Sequence, residues 1–335
     1  MTVARELVMV EQRQGCDDDA FWVREGDRRI PGQDGNRRLV ALRAGLVRHS
    51  RVRPVVADAA DEEVERTLAA LHEATYLRAL EEVRSEEPVV MADFAPPGLE
   101  PDIPVNARLV AAAREGIRTA ITAAERLLDG SQFTYAVCRP PGHHAGPAFH
   151  AGYCYLNNAA AAVRRLCEGG VKPVGIIDLD LHYPNGTSAL VERMGPVAAL
   201  HSLHSAPVTN LPPGTPLPRI AGERAVAFAA SPEEGTYLQE VAHSIHDLGE
   251  IARALVVSLG YDTVAGDPHG GWGFRPEIFA EIGRLLARAE LPVCVIQEGG
   301  YALDELADCS HAFATGLLGR EEPAEDERER GEVLL

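Results

Sequence analysis

A single α/β domain, with a mostly parallel central sheet flanked by helices and a site at the carboxyl ends of its strands, is the fold class the sequence predicts. Three observations predict it. Short apolar runs rich in β-branched residues alternate with stretches of helical length. Those runs are apolar at successive positions, the pattern of strands buried on both faces. The polar residues that need a chemical explanation follow directly on the strand ends, where ligands bind in open α/β sheets.

The first hundred residues are less regular. After them Pro104 to Gly130 predicts a long helix, with proline in its first turn and glycine as its stop. FTYAVC (133–138) predicts a strand, NNAAAAVRRLCEGG a helix, and VGIIDLDLH (174–182) a strand buried on both faces. VAALHSL (197–203) follows as a strand, then the helix GTYLQEVAHSIHDLGEI and the strand ALVVSLG (254–260). The helix RPEIFAEIGRLLARAE, the strand PVCVIQ (292–297) and a last helix from about Ala302 complete the series. EEPAEDERERGEVLL is a charge run that reads as a solvated, disordered end.

A chain of 335 residues, 46% hydrophobic, can bury a sizeable core. No apolar run reaches the length of a membrane span and MTVARELVMVEQRQG lacks a signal pattern, so the expectation is a cytoplasmic protein with no membrane partner. The six cysteines are scattered with no C-x-x-C pair, which argues against a disulfide framework or a structural zinc site. A formal charge of −18 argues against nucleic acid and is compatible with cationic substrates. A homo-oligomer is compatible with the sequence, which does not set its order.

In DLDLH, an extended strand would put Asp178, Asp180 and His182 on one face, because side chains two apart point the same way. Burying three such groups is costly without a cation or hydrogen-bond partners. Asp180 and His182, with Asp262 of LGYD from another strand end, make a mixed oxygen and nitrogen set. Three protein ligands with a position left for water are the arrangement of a catalytic zinc. His143 and His144 follow FTYAVC, and Glu298 to Tyr301 follow PVCVIQ, so four strand ends contribute to one cluster.

RPPGHHAG, GYCYLNNAA, DLDLH with NGT, LGYDTVAGDP and EGGY, in this order and spacing, resemble the zinc-dependent histone deacetylase and acetylpolyamine amidohydrolase superfamily over residues 70 to 319. The resemblance implies the arginase/deacetylase-type fold, with a deacetylase domain over 1–319 and a tail over 320–335. It implies one zinc held by Asp180, His182 and Asp262. His143 and His144 become the tandem histidines, oriented by Asp178 and Asn185, and Tyr301 the donor to the substrate carbonyl oxygen. It also implies a structural potassium ion at Asp178, the backbone of Asp180 and His182, Ser202 and the Leu203 carbonyl.

The implied reaction removes an acetyl or other short acyl group from an amine. Zinc can lower the pKa of a bound water to about 7 and polarise the carbonyl. A histidine then moves the proton and the tyrosine stabilises the oxyanion. For the substrate, the resemblance points to Asp102 at the rim, Gly152 and Tyr153 in the passage, Pro212 opposite, His269 at the mouth, and the Gly299-Gly300 turn below Tyr301. The chain departs from the family pattern at Tyr183-Pro184, where His-Gly is usual, and at Tyr153, Pro212 and His269. A small acetylated amine such as an acetylpolyamine is the expected substrate, with acetyl-lysine protein or a secondary metabolite as alternatives. With an ordinary imidazole pKa of about 6.5, His269 would make activity on polyamines rise between about pH 6 and 8. An arginase-type two-metal hydrolase would need more bridging carboxylates, and a non-catalytic binding protein would have lost one of these groups. His72, His201, His204, His243, His246, His311, Tyr76, Trp22 and Glu298 read as structural or solvated residues.

Overall fold

The computed structural model describes residues 5–13, 22–25, 28–217 and 222–320. The charge run after residue 320, and Cys16, lie outside these. The order of the main elements is β1 (Leu7–Glu11), β2 (Trp22–Glu25), β3 (Arg28–Pro31), α1 (Asn36–Leu46), β4 (Val52–Val56), α2 (Asp61–Leu71), α3 (Ala74–Glu82), α4 (Ala107–Leu128) and β5 (Phe133–Val137). Then come α5 (Asn158–Glu168), β6 (Val174–Asp178), α6 (Asn185–Met194), β7 (Ala198–Ser205), β8 (Glu223–Phe228), α7 (Glu234–Gly249), β9 (Ala254–Leu259), α8 (Glu277–Arg288), β10 (Val293–Gln297) and α9 (Leu303–Leu318).

The main sheet has eight strands in the order β4-β1-β5-β10-β9-β6-β7-β8. Every pairing in it is parallel. Alternate residues of each central strand feed opposite cores. Val256 and Ile296 pack with α4 and α5 on one side, while Val257 and Val295 pack with α7, α8 and α9 on the other. Continuous burial of β5, β6, β9 and β10 follows from helices covering both faces. These four are consecutive neighbours in the sheet, so their carboxyl ends open on one crevice.

The expected central elements form, with further strands at both edges of the sheet and a different start for α4. The less regular N-terminal hundred supplies β1 and β4, which complete one edge of the sheet, and three helices. β8 closes the other edge with a half-buried alternation that carries a weaker signal than a buried run. Asn106, not the first-turn proline, begins α4: its side chain accepts from the Leu109 amide, which satisfies one of the unpaired donors of the first turn. Among the described residues no helix is long and apolar enough to cross a membrane, and Cys138, Cys154, Cys294 and Cys309 are buried free thiols.

His150 sits inside the first core, stacked on Tyr76 at 5.9 Å and beside Tyr155 at 5.7 Å. Neither ring nitrogen has a hydrogen-bond partner among the described residues. Burial lowers its pKa to about 4. The unfolded chain takes up this proton below about pH 6.5 and the folded chain does not, so the stability tied to a neutral His150 is present above 6.5 and is lost as the pH falls toward 4. The expected outcome is a stability gap between wild type and His150→Leu that moves against wild type by up to about 3 kcal/mol between pH 6.5 and 4. Urea unfolding at several pH values measures it, and a gap independent of pH would contradict the burial argument.

Candidate active site

The site is built on loops that leave β5, β6, β9 and β10. β6 ends at Asp178, so the expected single extended face across residues 178–182 does not form. The carboxylates turn the chain instead: the Asp180 amide lies 3.3 Å from Asp178 Oδ1 and the His182 amide donates to Asp180 Oδ1 at 2.9 Å. Such side-chain acceptors compete with a strand ladder. The result separates the three residues. Asp178 Oδ2 lies 3.3 Å from His143 Nδ1, whereas Asp180 and His182 turn toward Asp262.

Asp180, His182 and Asp262 present ligand-type atoms that all lie within 4.8 Å of one another. His182 Nδ1 is 3.2 Å from Asp180 Oδ1 and 3.1 Å from Asp262 Oδ2. Both carboxylates are buried. Burial opposes charge on His182, but the two carboxylates outweigh it and push its pKa up to about 10. Asp262, buried beside Asp180, is pushed up to about 8. Two oxygens and one imidazole around buried negative charge are a donor set suited to a divalent cation such as zinc. Gly299 leaves the space this requires, since a Cβ there would lie 2.6 Å from Asp180 Oδ2 and 2.8 Å from Asp262 Oδ2.

The two adjacent histidines have opposite environments. Their rings are 4.0 Å apart. Burial disfavours a charged His143, but Asp180 and Asp178 overcome it and raise its pKa to about 10. His144 is pushed well below the ordinary imidazole value by burial and by the charges on His143 and His182. Its Nδ1 is 2.8 Å from Asn185 Oδ1. Glu298 shapes the turn that carries both, accepting from the amides of Gly142 at 2.6 Å and His143 at 3.1 Å. His72 supports the same loop through the Gly146 carbonyl at 2.9 Å.

These groups form the floor of a cavity of about 540 Å³ that Asp102, Gly152, Tyr153, Asn210, His269 and Tyr301 also line. Gly299 lines it and Gly300 lies behind it, at φ +113° with its Cβ position blocked by Tyr261. Pro212 is a correction: it packs toward Gly98, and Thr209 and Asn210 make that wall instead. Asp102 is half-buried, with Oδ2 accepting from Gly152 N at 2.8 Å and a solvent-inaccessible Oδ1 without a partner among the described residues. Ser202, in register with Asp178 on the neighbouring strand, is buried with Oγ 3.2 Å from His204 Nδ1, and Leu203 is buried beside it. His269 corrects the pH expectation. The Tyr153 hydroxyl, whose oxygen accepts from Gln33 N, lies within hydrogen-bonding distance of His269 Nε2 at 2.8 Å. Burial, with cationic His182 and Arg38 nearby, lowers His269 to about 4, so it stays neutral between pH 6 and 8.

Sequence reasoning missed three residues here. Arg38 is fully buried, donating to the Gly300 carbonyl at 2.6 Å, to the Glu298 carbonyl at 2.5 Å and to Asp34. Its guanidinium lies 4.5 Å from the Tyr301 ring centroid. A signal existed, because Arg38 shares the i, i+4, i+8 stripe of α1 with buried Leu42 and Leu46. Asp267 ties the cavity mouth to the tyrosine turn, accepting from His269 N at 2.9 Å and Tyr301 N at 2.6 Å. Asn210 carried no signal beyond being a polar residue in a proline-rich loop.

Residues 35–317 match the family model of the histone deacetylase domain. The chain belongs to this family. An acetylpolyamine amidohydrolase of Mycoplana ramosa is 34% identical over 203 residues, 58% of this chain and 59% of that protein. The acetylpolyamine amidohydrolase of Burkholderia pseudomallei (strain 1710b) is 30% identical over 281 residues, 75% of this chain and 82% of that one. Histone deacetylase 8 of Arabidopsis thaliana is 31% identical over 231 residues, 61% of this chain and 59% of that protein. The match thus spans about three fifths of the length of the Mycoplana relative. Among solved structures, an acetylpolyamine aminohydrolase from Burkholderia pseudomallei superposes with a TM-score of 0.82 at 24% identity, covering 94% of this chain and 99% of that one. The HDA15 HD domain gives 0.78 at 22% identity, covering 98% and 93%. At those identities the two structures establish the fold, the parallel α/β sheet of histone deacetylase domains.

Replacing Arg38 by Met leaves the carbonyls of Gly300 and Glu298 without this donor and removes one cationic partner of buried Asp34. The expected cost is about 3 kcal/mol or more in urea unfolding. A loss below about 1 kcal/mol would mean that other donors replace it.

Proposed function

We propose that this histone deacetylase domain is a zinc-dependent amidohydrolase that removes an acetyl or short acyl group from an amine, with a small acetylated amine such as an acetylpolyamine as substrate. The observation that carries the reading is the convergence of Asp180, His182 and Asp262 on the floor of the cavity that also holds His143, His144 and Tyr301. Among the described residues it is the only cluster of this kind, which favours one metal over an arginase-type pair.

Asp180, His182 and Asp262 would hold the zinc. When bound, it supplies a Lewis acid that polarises an amide carbonyl and makes water acidic near neutral pH. The chain's own groups do the rest. His144 engages Asn185 through Nδ1, which leaves Nε2 to take the proton of the attacking water and return it to the departing amine. His143, protonated beside Asp178, keeps positive charge next to the site and depresses the basicity of His144. Tyr301, held by Arg38 below its ring and by Asp267 at its amide, donates to the carbonyl oxygen as charge develops there. Asp178 and Ser202, in register across β6 and β7, would hold the potassium ion together with the backbone of Asp180 and His182 and the Leu203 carbonyl.

A small cationic substrate is supported by the carboxylate of Asp102, whose solvent-inaccessible Oδ1 has no described partner, and by the neutrality of His269. The names of the Mycoplana and Burkholderia relatives point the same way.

Asp180→Ala and Asp262→Ala are each expected to abolish both zinc retention and amide hydrolysis. Full activity with stoichiometric zinc in either variant removes that residue from the ligand set. Tyr301→Phe is expected to keep zinc and fold while kcat falls by about 10²-fold or more. On a panel of acetylated polyamines and acetyl-lysine peptides, polyamines should show the higher kcat/KM and His269→Glu should raise that preference. A higher kcat/KM on peptides would overturn the substrate assignment.

A further inference from the structure

The wall of the cavity opposite Tyr301 carries a group that none of the roles above uses. Asn210 lies on the loop after β7, and its side-chain Nδ2 makes three close approaches: to the Tyr183 carbonyl, to Asn185 Oδ1 at 2.9 Å and to His144 Nδ1 at 2.9 Å. The Asn210 carbonyl in turn accepts from Asn185 Nδ2 at 3.3 Å. With His144 Nδ1 at 2.8 Å from Asn185 Oδ1, these atoms form a closed network.

The contacts fix the directions of both amides. The Asn210 amide nitrogen has two hydrogens and accepts nothing. Flipping that amide would set its oxygen against the Tyr183 carbonyl, so Tyr183 fixes its direction. Flipping the Asn185 amide would set Oδ1 against the Asn210 carbonyl, so Asn210 fixes that one. Asn185 therefore presents an oxygen to His144 at 2.8 Å, and a hydrogen on Nδ1 donates to it; a bare Nδ1 would accept from Asn210 Nδ2 at 2.9 Å but would oppose that nearer oxygen. The second Asn210 hydrogen completes the two lone pairs of Asn185 Oδ1.

We propose that Asn210 is a positioning residue: its amide and carbonyl orient Asn185 so that His144 keeps its hydrogen on Nδ1 and offers Nε2 to the substrate. The relay begins at Tyr183, one of the five residues where the sequence departs from the family pattern. Tyr183 is held in turn, its hydroxyl 2.7 Å from Glu223 Oε1 and 2.9 Å from Ser188 Oγ, and its ring 5.0 Å from that of His204. A departure next to a metal ligand is thus connected through one loop asparagine to the proton-carrying histidine. The consequence for turnover rests on the amidohydrolase reading; the consequence for the tautomer does not.

The test compares zinc-loaded wild type, Asn210→Ala and Asn210→Asp, with matching thermal melts as the folding control. Two-bond ¹H–¹⁵N spectra of the histidine rings, with His144 assigned through His144→Gln, report which nitrogen carries the hydrogen. Wild type is expected to show a protonated Nδ1 and a free Nε2. Asn210→Asp sets a carboxylate oxygen where Nδ2 lies 2.9 Å from His144 Nδ1, so it should keep the hydrogen on Nδ1. Asn210→Ala should give a mixture. In parallel kcat should fall by about 10-fold or more in Asn210→Ala, with KM within about two-fold of wild type. An unchanged tautomer in Asn210→Ala overturns the proposal, whatever the activity does. So does a rise in KM with kcat unchanged, which would make Asn210 a substrate contact. If wild type hydrolyses no acyl amine, the amidohydrolase reading falls while the ring spectra still decide the positioning role.

Discussion

Negative charge buried at the carboxyl ends of β6 and β9 is the constraint around which the rest of the molecule is arranged. Asp178, Asp180 and Asp262 are each essentially inaccessible to solvent. A carboxylate so placed must find a cation or several donors. The surroundings supply both. Backbone amides of Leu181 and Gly299 donate to Asp262 and Asp180. His143 is driven toward its protonated form, and His182, on giving up its proton, completes with the two carboxylates a set of donors for a divalent metal.

That arrangement determines which neighbours can be tolerated. Glycine at 299 gives the carboxylates room, and glycine at 152 lets the backbone approach the His144 ring, where a Cβ would lie 2.4 Å from Cδ2. Positive charge then has to be held on the side away from the carboxylates. Arg38 provides it from α1, bonding to the carbonyls of the turn that leads into Tyr301 and lying under the tyrosine ring. One buried guanidinium thus sets the position of the Tyr301 ring, and Asp267 holds the same turn from the other side. The two histidines differ for the same reason: one touches the carboxylates, while the other touches only neutral amides and the charged rings beside it.

The fold was legible where burial leaves a strong pattern. Runs such as ALVVSL and VCVIQ are buried on both faces, and no other element produces that signal so plainly. Edge strands were harder to read. β4 and β8 are largely exposed or half-buried and mixed in composition, so their assignment depends on the neighbour they pair with. The DLDLH run was legible as chemistry but misleading as geometry, because its carboxylates cap backbone amides and end the strand that their alternation suggests.

By itself, then, the sequence determined the layered α/β architecture, the family, and the residue types gathered at four strand ends, because hydrophobic period and ordered motifs are local properties of the chain. Only the tertiary structure decided which of those residues meet. Arg38 beneath Tyr301, Asp267 between the cavity mouth and the tyrosine turn, Asn210 against Asn185, and the neutrality of His269 all depend on groups far apart in the chain brought within hydrogen-bonding or packing distance. Hydrogen bonds and desolvation act over a few ångströms of space, and no spacing along the chain encodes them.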